Sequence, residues 1–106
     1  MTMMPPQAFD ALAIQKMASG HACLNLTSRI NWEGFPSFAD AFVRSIGGLI
    51  TSKSDAPDIR VWEVCVDNSA LRLVFDDYPV MVSLESTDDK SDETLQQLLL
   101  KLQGRL

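Results

Sequence analysis

The sequence is poor in the side chains that most catalytic and metal sites use. It holds one histidine and two cysteines in 106 residues. His21 and Cys23 stand close together, but no carboxylate nearby in the sequence would orient the imidazole. Structural zinc sites normally use close-spaced pairs of ligands, and Cys65 stands alone. We therefore predict no catalytic residue, no metal ion and no cofactor, and two reduced thiols buried in strands.

The sequence also lacks the features that direct a chain to nucleic acid or to a membrane. Lys and Arg number 9 against 14 Asp and Glu, a net charge of −5, and the basic residues are scattered. Nucleic-acid binding needs a basic track for the phosphates. No apolar run approaches the roughly 18 residues of a membrane span, and the first residues do not resemble a secretory signal. We expect a protein of the bacterial cytoplasm that binds neither nucleic acid nor membrane.

The negative charge is concentrated in one segment of this acidic protein. Residues 76–93 contain seven acidic residues and one base, Lys90, so nearly all of the excess lies there. A segment of this kind could attract a basic partner. More often, such a segment is a solvated loop followed by the start of a helix.

Residues 59–85 are predicted to form three short strands. Successive side chains of a strand point to opposite faces, and β-branched and aromatic residues suit such a surface. The turns 67–70 and 76–79 are short, and short connections join antiparallel neighbours, so the segment is an antiparallel meander. Its apolar face carries Trp62, Val64 and Val66, then Leu71, Leu73 and Phe75, then Val80, Val82 and Leu84.

The opposite face of this meander mixes apolar and charged residues. It is either a solvent-exposed face with scattered apolar side chains, which is common, or a contact surface for a partner or a second copy. Two aromatic residues elsewhere could also anchor a protein contact, or could pack locally. The candidate partner-binding residues are Val61, Cys65, Val74 and Met81 on this face, and Trp32 and Tyr78 in loops.

Two segments have helical periodicity. After Pro36, which suits a first helical turn, apolar residues recur at helical spacing from Ala39 to Ile46, and Gly47 ends the helix. A second helix is predicted to begin with Ser91 as its N-cap and to bury one stripe of leucines. That stripe consists of Leu95, Leu98, Leu99, Leu102 and Leu106.

The remaining segments are predicted from local signals. Residues 1–7 contain a Pro-Pro pair and are expected to form a flexible tail. Residues 8–18 fit a helix and a strand equally, whereas residues 22–27 alternate as a strand. Residues 49–53 are predicted to form a short strand, and residues 54–58 a loop before the meander.

Several short motifs follow one another in a set order along the chain. They are Phe35-Pro36 at a helix start, Trp62, Leu71-Arg72-Leu73, Asp77-Tyr78 and Val82-Ser83-Leu84-Glu85, followed by the leucine-striped helix. Over residues 9–103 this order resembles a family of small bacterial proteins known as a domain of unknown function. The resemblance implies an N-terminal hairpin, which favours a strand within residues 8–18. It implies no activity and no site residues.

These observations predict one domain over residues 1–106, of the α+β class. The expected fold has two layers, with both helices on the apolar face of an antiparallel sheet. The sheet combines the N-terminal hairpin with the three-stranded meander. The expected order is ββαβββα, with an extra short strand after the first helix as a variant.

The functional hypothesis is a non-enzymatic protein that binds a protein partner or self-associates, for example as a dimer. It is motivated by the half-apolar second sheet face, the acidic segment and the lack of a catalytic constellation. A secretion-chaperone-like or immunity-type partner binder is an alternative by fold analogy alone. An enzyme is a further alternative, which would require a pocket joining His21, Cys23 and a carboxylate.

Overall fold

A computed structural model describes residues 8–77 and 79–104, so the predicted tail over residues 1–7 lies outside the described part of the chain. Six strands form one antiparallel sheet in the order β1-β2-β6-β5-β4-β3. Two helices complete the fold of the described residues, which is therefore α+β. The elements are β1 Ala13–Lys16, β2 Ala22–Thr27, α1 Phe35–Ser45, β3 Leu49–Ala56, β4 Ile59–Val66, β5 Ser69–Asp77, β6 Val80–Ser86 and α2 Asp89–Leu102.

The N-terminal segment forms the strand that the family resemblance implied. β1 pairs with β2, which occupies the predicted residues 22–27. β2 then pairs with β6, the last strand of the meander. This pairing joins the N-terminal hairpin to the meander in one sheet, and the four residues of β1 form one of its two edges.

The extra strand after α1, which we predicted as a variant over residues 49–53, is present as β3, so the meander has four strands and the order is ββαββββα. It is longer than predicted. Its eight residues include residues 54–56, which we predicted to be loop, so only Pro57 and Asp58 form the turn before β4. This extension was missed because an edge strand exposed on both sides needs no apolar alternation. Its pairing with β4 is instead made by the backbone, with a register shift between Ile50 and Ser52.

The predicted register of the other strands is confirmed. Trp62 pairs with Leu73, and Leu73 pairs with Leu84, so the three side chains lie in one cross-strand row. All of the predicted core-facing residues are buried except Val80, the first residue of β6, which is half-buried. The β4–β5 turn has positive φ at Asp67 (50°) and Asn68 (62°), which Asp and Asn tolerate better than most residues.

Both helices pack on this apolar face, which gives the predicted two layers. α1 buries the aromatic residues Phe35, Phe38 and Phe42, and the Phe35 ring lies 4.9 Å from that of Trp62. Gly47 follows α1 with a φ of +74°, as the predicted helix end requires. No helix among the described residues is long and apolar enough to cross a membrane.

α2 buries the predicted stripe, but it starts earlier than predicted. Leu95, Leu98 and Leu102 are buried and Leu99 is half-buried, while Leu106 lies outside the described residues. The prediction of Ser91 as N-cap is wrong, because Asp88 is the N-cap and Ser91 occupies the third helical position.

Ser91 and Asp88 form a reciprocal capping box. The Ser91 backbone N–H donates to Asp88 Oδ1 at 2.8 Å, and the Asp88 N–H donates to Ser91 Oγ at 3.0 Å. Ser91 Oγ also accepts a hydrogen bond from the Thr87 N–H at 2.9 Å. The serine side chain thus satisfies two backbone donors that the helix itself leaves unpaired.

We expect the substitution Ser91→Ala to lower the free energy of unfolding by about 1–2 kcal/mol, because it leaves two backbone donors without a partner at a fully buried position. Urea unfolding followed by circular dichroism measures the change. The exposed Ser37 in α1 supplies the matched control, and Ser37→Ala should change stability by less than about 0.5 kcal/mol. Equal effects of the two substitutions would contradict the capping role of Ser91.

Candidate functional site: the open face of the sheet

The sheet face opposite the helices is uncovered in the described part of the chain. Four of the six predicted partner-binding residues lie on it, namely Val61, Cys65, Val74 and Met81. Val61 and Val74 are directly paired across β4 and β5, and Val74 is paired with Ser83 of β6. Val74 is only 6% exposed because its neighbours shield it, while the other three are half-buried. The pair Glu63 and Arg72 separates Cys65 from Val61 and Val74, so the apolar patch in the middle of the open face consists of Val61, Val74 and Met81.

A row of charged residues crosses the open face beside this patch. Glu63 pairs with Arg72 across the strands, and Arg72 pairs with Glu85. Arg72 Nε lies 3.3 Å from Glu63 Oε1. Burial raises the pKa of Glu85, and the charge of Arg72 partly opposes that shift. One arginine is thus placed between two carboxylates.

The two thiols lie on this face in different surroundings. Cys23, in β2, is paired with Glu85 and buried, whereas Cys65, in β4, is half-buried. Both are free thiols, and three strand pairings separate them. Burial raises the pKa of the Cys23 thiol, and its S–H donates to Asn25 Oδ1 at 3.7 Å. This environment suppresses the thiolate that a nucleophile or a metal ligand requires.

The two predicted aromatic anchors do not join the patch. Trp32 packs edge-on against Phe75 with ring centroids 6.0 Å apart, and the Arg60 guanidinium lies 4.1 Å from its ring centroid. Phe75 belongs to the buried core on the helix side, so Trp32 packs locally there. Tyr78 lies outside the described residues.

Our sequence analysis missed a polar cluster at the end of the sheet near the β1–β2 turn. His21 Nδ1 lies 2.9 Å from Asp92 Oδ2, and Asp92 Oδ1 accepts hydrogen bonds from the Ala22 N–H at 2.8 Å and from the Ser86 hydroxyl. One carboxylate on α2 therefore forms hydrogen bonds to β2, to β6 and to the β1–β2 turn. These bonds, that from His21 above all, lower the pKa of Asp92 to about 2. The same contact raises the pKa of His21.

The sequence carried little signal for this cluster, because 71 positions separate His21 from Asp92. No carboxylate stands near the histidine in the sequence, and α2 supplies one from the far end of the chain. The only local hint is that Asp92 falls in the first turn of a helix, where an acidic residue is favourable for a different reason.

The cluster offers oxygen and nitrogen atoms that could approach a cation. Ligand atoms of His21, Asp89 and Asp92 lie within 4.8 Å of one another. Both carboxylate oxygens of Asp92 already accept hydrogen bonds, Oδ2 from His21 and Oδ1 from Ala22 and Ser86. We call this hydrogen-bonded cluster of His21, Ala22, Ser86 and Asp92 the latch, because it connects α2 to β2 and β6.

A cleft of ≈ 380 Å³ opens beside this latch. Its lining includes His21, Arg72, Glu85 and Thr87 but, among the described residues, not Cys23. The cleft therefore brings the histidine near one carboxylate, that of Glu85, without the thiol that the enzyme alternative would require.

The fold and its open face define a two-layer α+β protein in which helices cover one side of an antiparallel sheet. A family model described as "Protein of unknown function (DUF3630)" matches residues 12–103, and the chain belongs to this family. This confirms the family resemblance drawn from the motifs. No curated protein and no solved structure matches the chain.

The latch predicts a pH-dependent contribution to stability. Because the pKa of His21 is raised above 6.5 in the folded protein, the contribution is complete below about pH 6.5 and is lost as the pH rises through the raised value. The lowered pKa of Asp92 means that it is also lost in acid, as the pH falls from about 4 through about 2. The substitution His21→Ala should therefore lower the urea midpoint more at about pH 5 than at about pH 9.

The variant Asp92→Asn is the matched background for this measurement. It removes the largest cause of the raised histidine pKa and leaves only the smaller effects of Asp88 and Asp89. The effect of His21→Ala should then differ less between the two pH values. A pH dependence of His21→Ala that survives undiminished in the Asp92→Asn background would show that another group controls the histidine.

Proposed function

We propose that this protein acts by binding another protein across the open face of its sheet. The observation that carries the proposal is the placement of both helices on one face, which leaves Val61, Val74 and Met81 in the middle of the other. Soluble proteins that expose an apolar patch on an otherwise polar surface commonly use it for contact. The buried side of this sheet already has its covering layer, so the patch is not needed for the core.

The arrangement of charge on the open face supports the same proposal. Protein interfaces typically have an apolar centre from which charged residues are depleted and a polar rim around it. Here the apolar patch lies beside the row formed by Glu63, Arg72 and Glu85. Because Arg72 is placed between two carboxylates, the row can be covered by a partner with a smaller desolvation cost than unpaired charges would carry.

The partner is either a different protein or a second copy of this chain. A secretion-chaperone-like or immunity-type partner binder is an alternative that rests on fold analogy alone. The adduct formed in a crosslinking experiment distinguishes the two kinds of partner by its mass.

Crosslinking within the native cell tests the proposal. A photoreactive amino acid replaces Val61 on the open face, or Gln97 on the exposed side of α2 as the matched control. We expect a discrete covalent adduct from position 61 and none from position 97. If the two positions give the same adducts, or if position 61 gives none, the open face is not the binding surface.

Val61→Lys should weaken binding of the captured partner at least about 10-fold, because a charge placed at the centre of an interface costs more than 1.4 kcal/mol. The control Gln97→Lys should leave affinity unchanged, and titration calorimetry measures both. Val61 is half-buried, so circular dichroism must show that the variant retains the native fold. Unchanged affinity in a folded Val61→Lys protein would rule out this face.

A further inference from the structure

Among residues 8–77 and 79–104, no strand pairs with the outer side of the edge strand β3. It is the last strand of the sheet, and seven of its eight residues are exposed. The other edge, β1, has only four residues. A cleft of ≈ 400 Å³ separates β3 from α1, with Arg44, Leu49 and Lys53 among its lining residues. The helix therefore leaves the outer edge of β3 accessible to another strand.

The turn after β3 determines which residues direct their backbone groups outward. Pro57 and Asp58 form a two-residue turn that closes on the pair Ala56 and Ile59. In an antiparallel ladder with such a turn, the closing pair is hydrogen-bonded and the pairs then alternate. Ser54 therefore bonds to β4, while Lys53 and Asp55 direct their N–H and C=O groups away from the sheet.

These two outward-directed residues carry opposite charges and are held in place by one ring. Lys53 Nζ lies 4.5 Å from the Trp62 ring centroid, and Trp62 Nε1–H donates to Asp55 Oδ1 at 3.0 Å. Asp55 also accepts a hydrogen bond from Arg60 at 3.3 Å. Trp62 is 3% exposed, so it fixes both charged side chains on the helix side of the edge.

The short segment from Ser52 to Ala56 is complementary to itself. In an antiparallel pairing with a two-fold axis at Ser54, Lys53 of each copy stands opposite Asp55 of the other. Opposite charges that face each other across strands are favourable. The side chains of Ser52, Ser54 and Ala56, which point to the open face, are small and present no obstacle to a neighbouring strand.

We propose that β3 pairs with β3 of a second copy in this register, so that two six-stranded sheets become one continuous sheet. The interface is isologous, since the same residues meet on both sides. A two-fold axis perpendicular to the sheet keeps both open faces on the same side. The dimer would therefore present two copies of the open face together, although the pairing itself does not rest on the function proposed for that face.

A lysine and a bulge on an edge strand commonly oppose edge-to-edge pairing. In this strand the register shift lies between Ile50 and Ser52, outside the self-complementary segment. The two-fold register also places each lysine opposite a carboxylate, where a pairing of lysine with lysine would be repulsive. The charges of this edge therefore favour one register, in which β3 pairs with β3 of a second copy.

Charge reversal on the two strands tests the pairing by sedimentation equilibrium. The wild-type chain should be a dimer at micromolar concentration. Lys53→Glu makes both positions acidic and Asp55→Lys makes both basic, so each variant alone should associate at least 10-fold more weakly. Mixed together, the two variants should form a heterodimer, because opposite charges again face each other at every pair. A wild-type chain that stays monomeric at millimolar concentration overturns the proposal, as does a mixture that shows no association.

A backbone variant keeps the test independent of the Asp55 contacts, since Asp55→Lys also removes the bond to Trp62. Lys53→Pro deletes an outward N–H without removing a bond to β4, a position where edge strands tolerate proline. Circular dichroism should show that this variant is folded, and sedimentation equilibrium should show that it is monomeric.

The open-face variant Val61→Lys should leave the dimer intact. A dimer that survives Lys53→Pro and is lost in Val61→Lys would show that copies associate through the open face instead.

Discussion

One row of side chains sets the register of the whole sheet. It runs across the strands from Ile14 through Leu24, Leu84 and Leu73 to Trp62. Both helices bury their apolar stripes against this row and its neighbours on the same face. A slip of one residue in any of these strands would turn its apolar side chains to the other face. Packing on the helix-covered face therefore determines which side chains point to the open face.

The same row reaches the edge of the sheet and links the core to the surface. Its next member in β3 is Lys53, which is paired with Trp62 and lies over its ring. The buried tryptophan thus anchors a charged group at the accessible edge, and it bonds to Asp55 on the same strand. Because the core fixes these side chains, their ordering costs less conformational entropy on association than that of free surface side chains.

Alternation of apolar residues predicted the strands that are buried on one face, because burial is what imposes that pattern. β3 has no such pattern, since seven of its residues are exposed and only its backbone pairing defines it. The start of α2 was misplaced for a different reason. Asp88 and Ser91 are both good N-cap residues and bond to each other, so local preference could not decide between them. The His21–Asp92 latch depends on tertiary packing alone, and sequence spacing carries no information about it.

The latch and the cap also change how the acidic segment should be understood. Asp92 accepts hydrogen bonds from three groups of the protein, and Asp88 caps α2. Hydrogen bonds to their charged forms lower the pKa of both carboxylates, so their charge contributes to the native fold. A partner on the open face would meet Arg72 between Glu63 and Glu85, and also Asp76, which is paired with Met81 on the same face. Two of these charged residues, Asp76 and Glu85, belong to the acidic segment. Electrostatic selection of that partner therefore depends on where these few charges lie on the face, and not on the total negative charge of the segment.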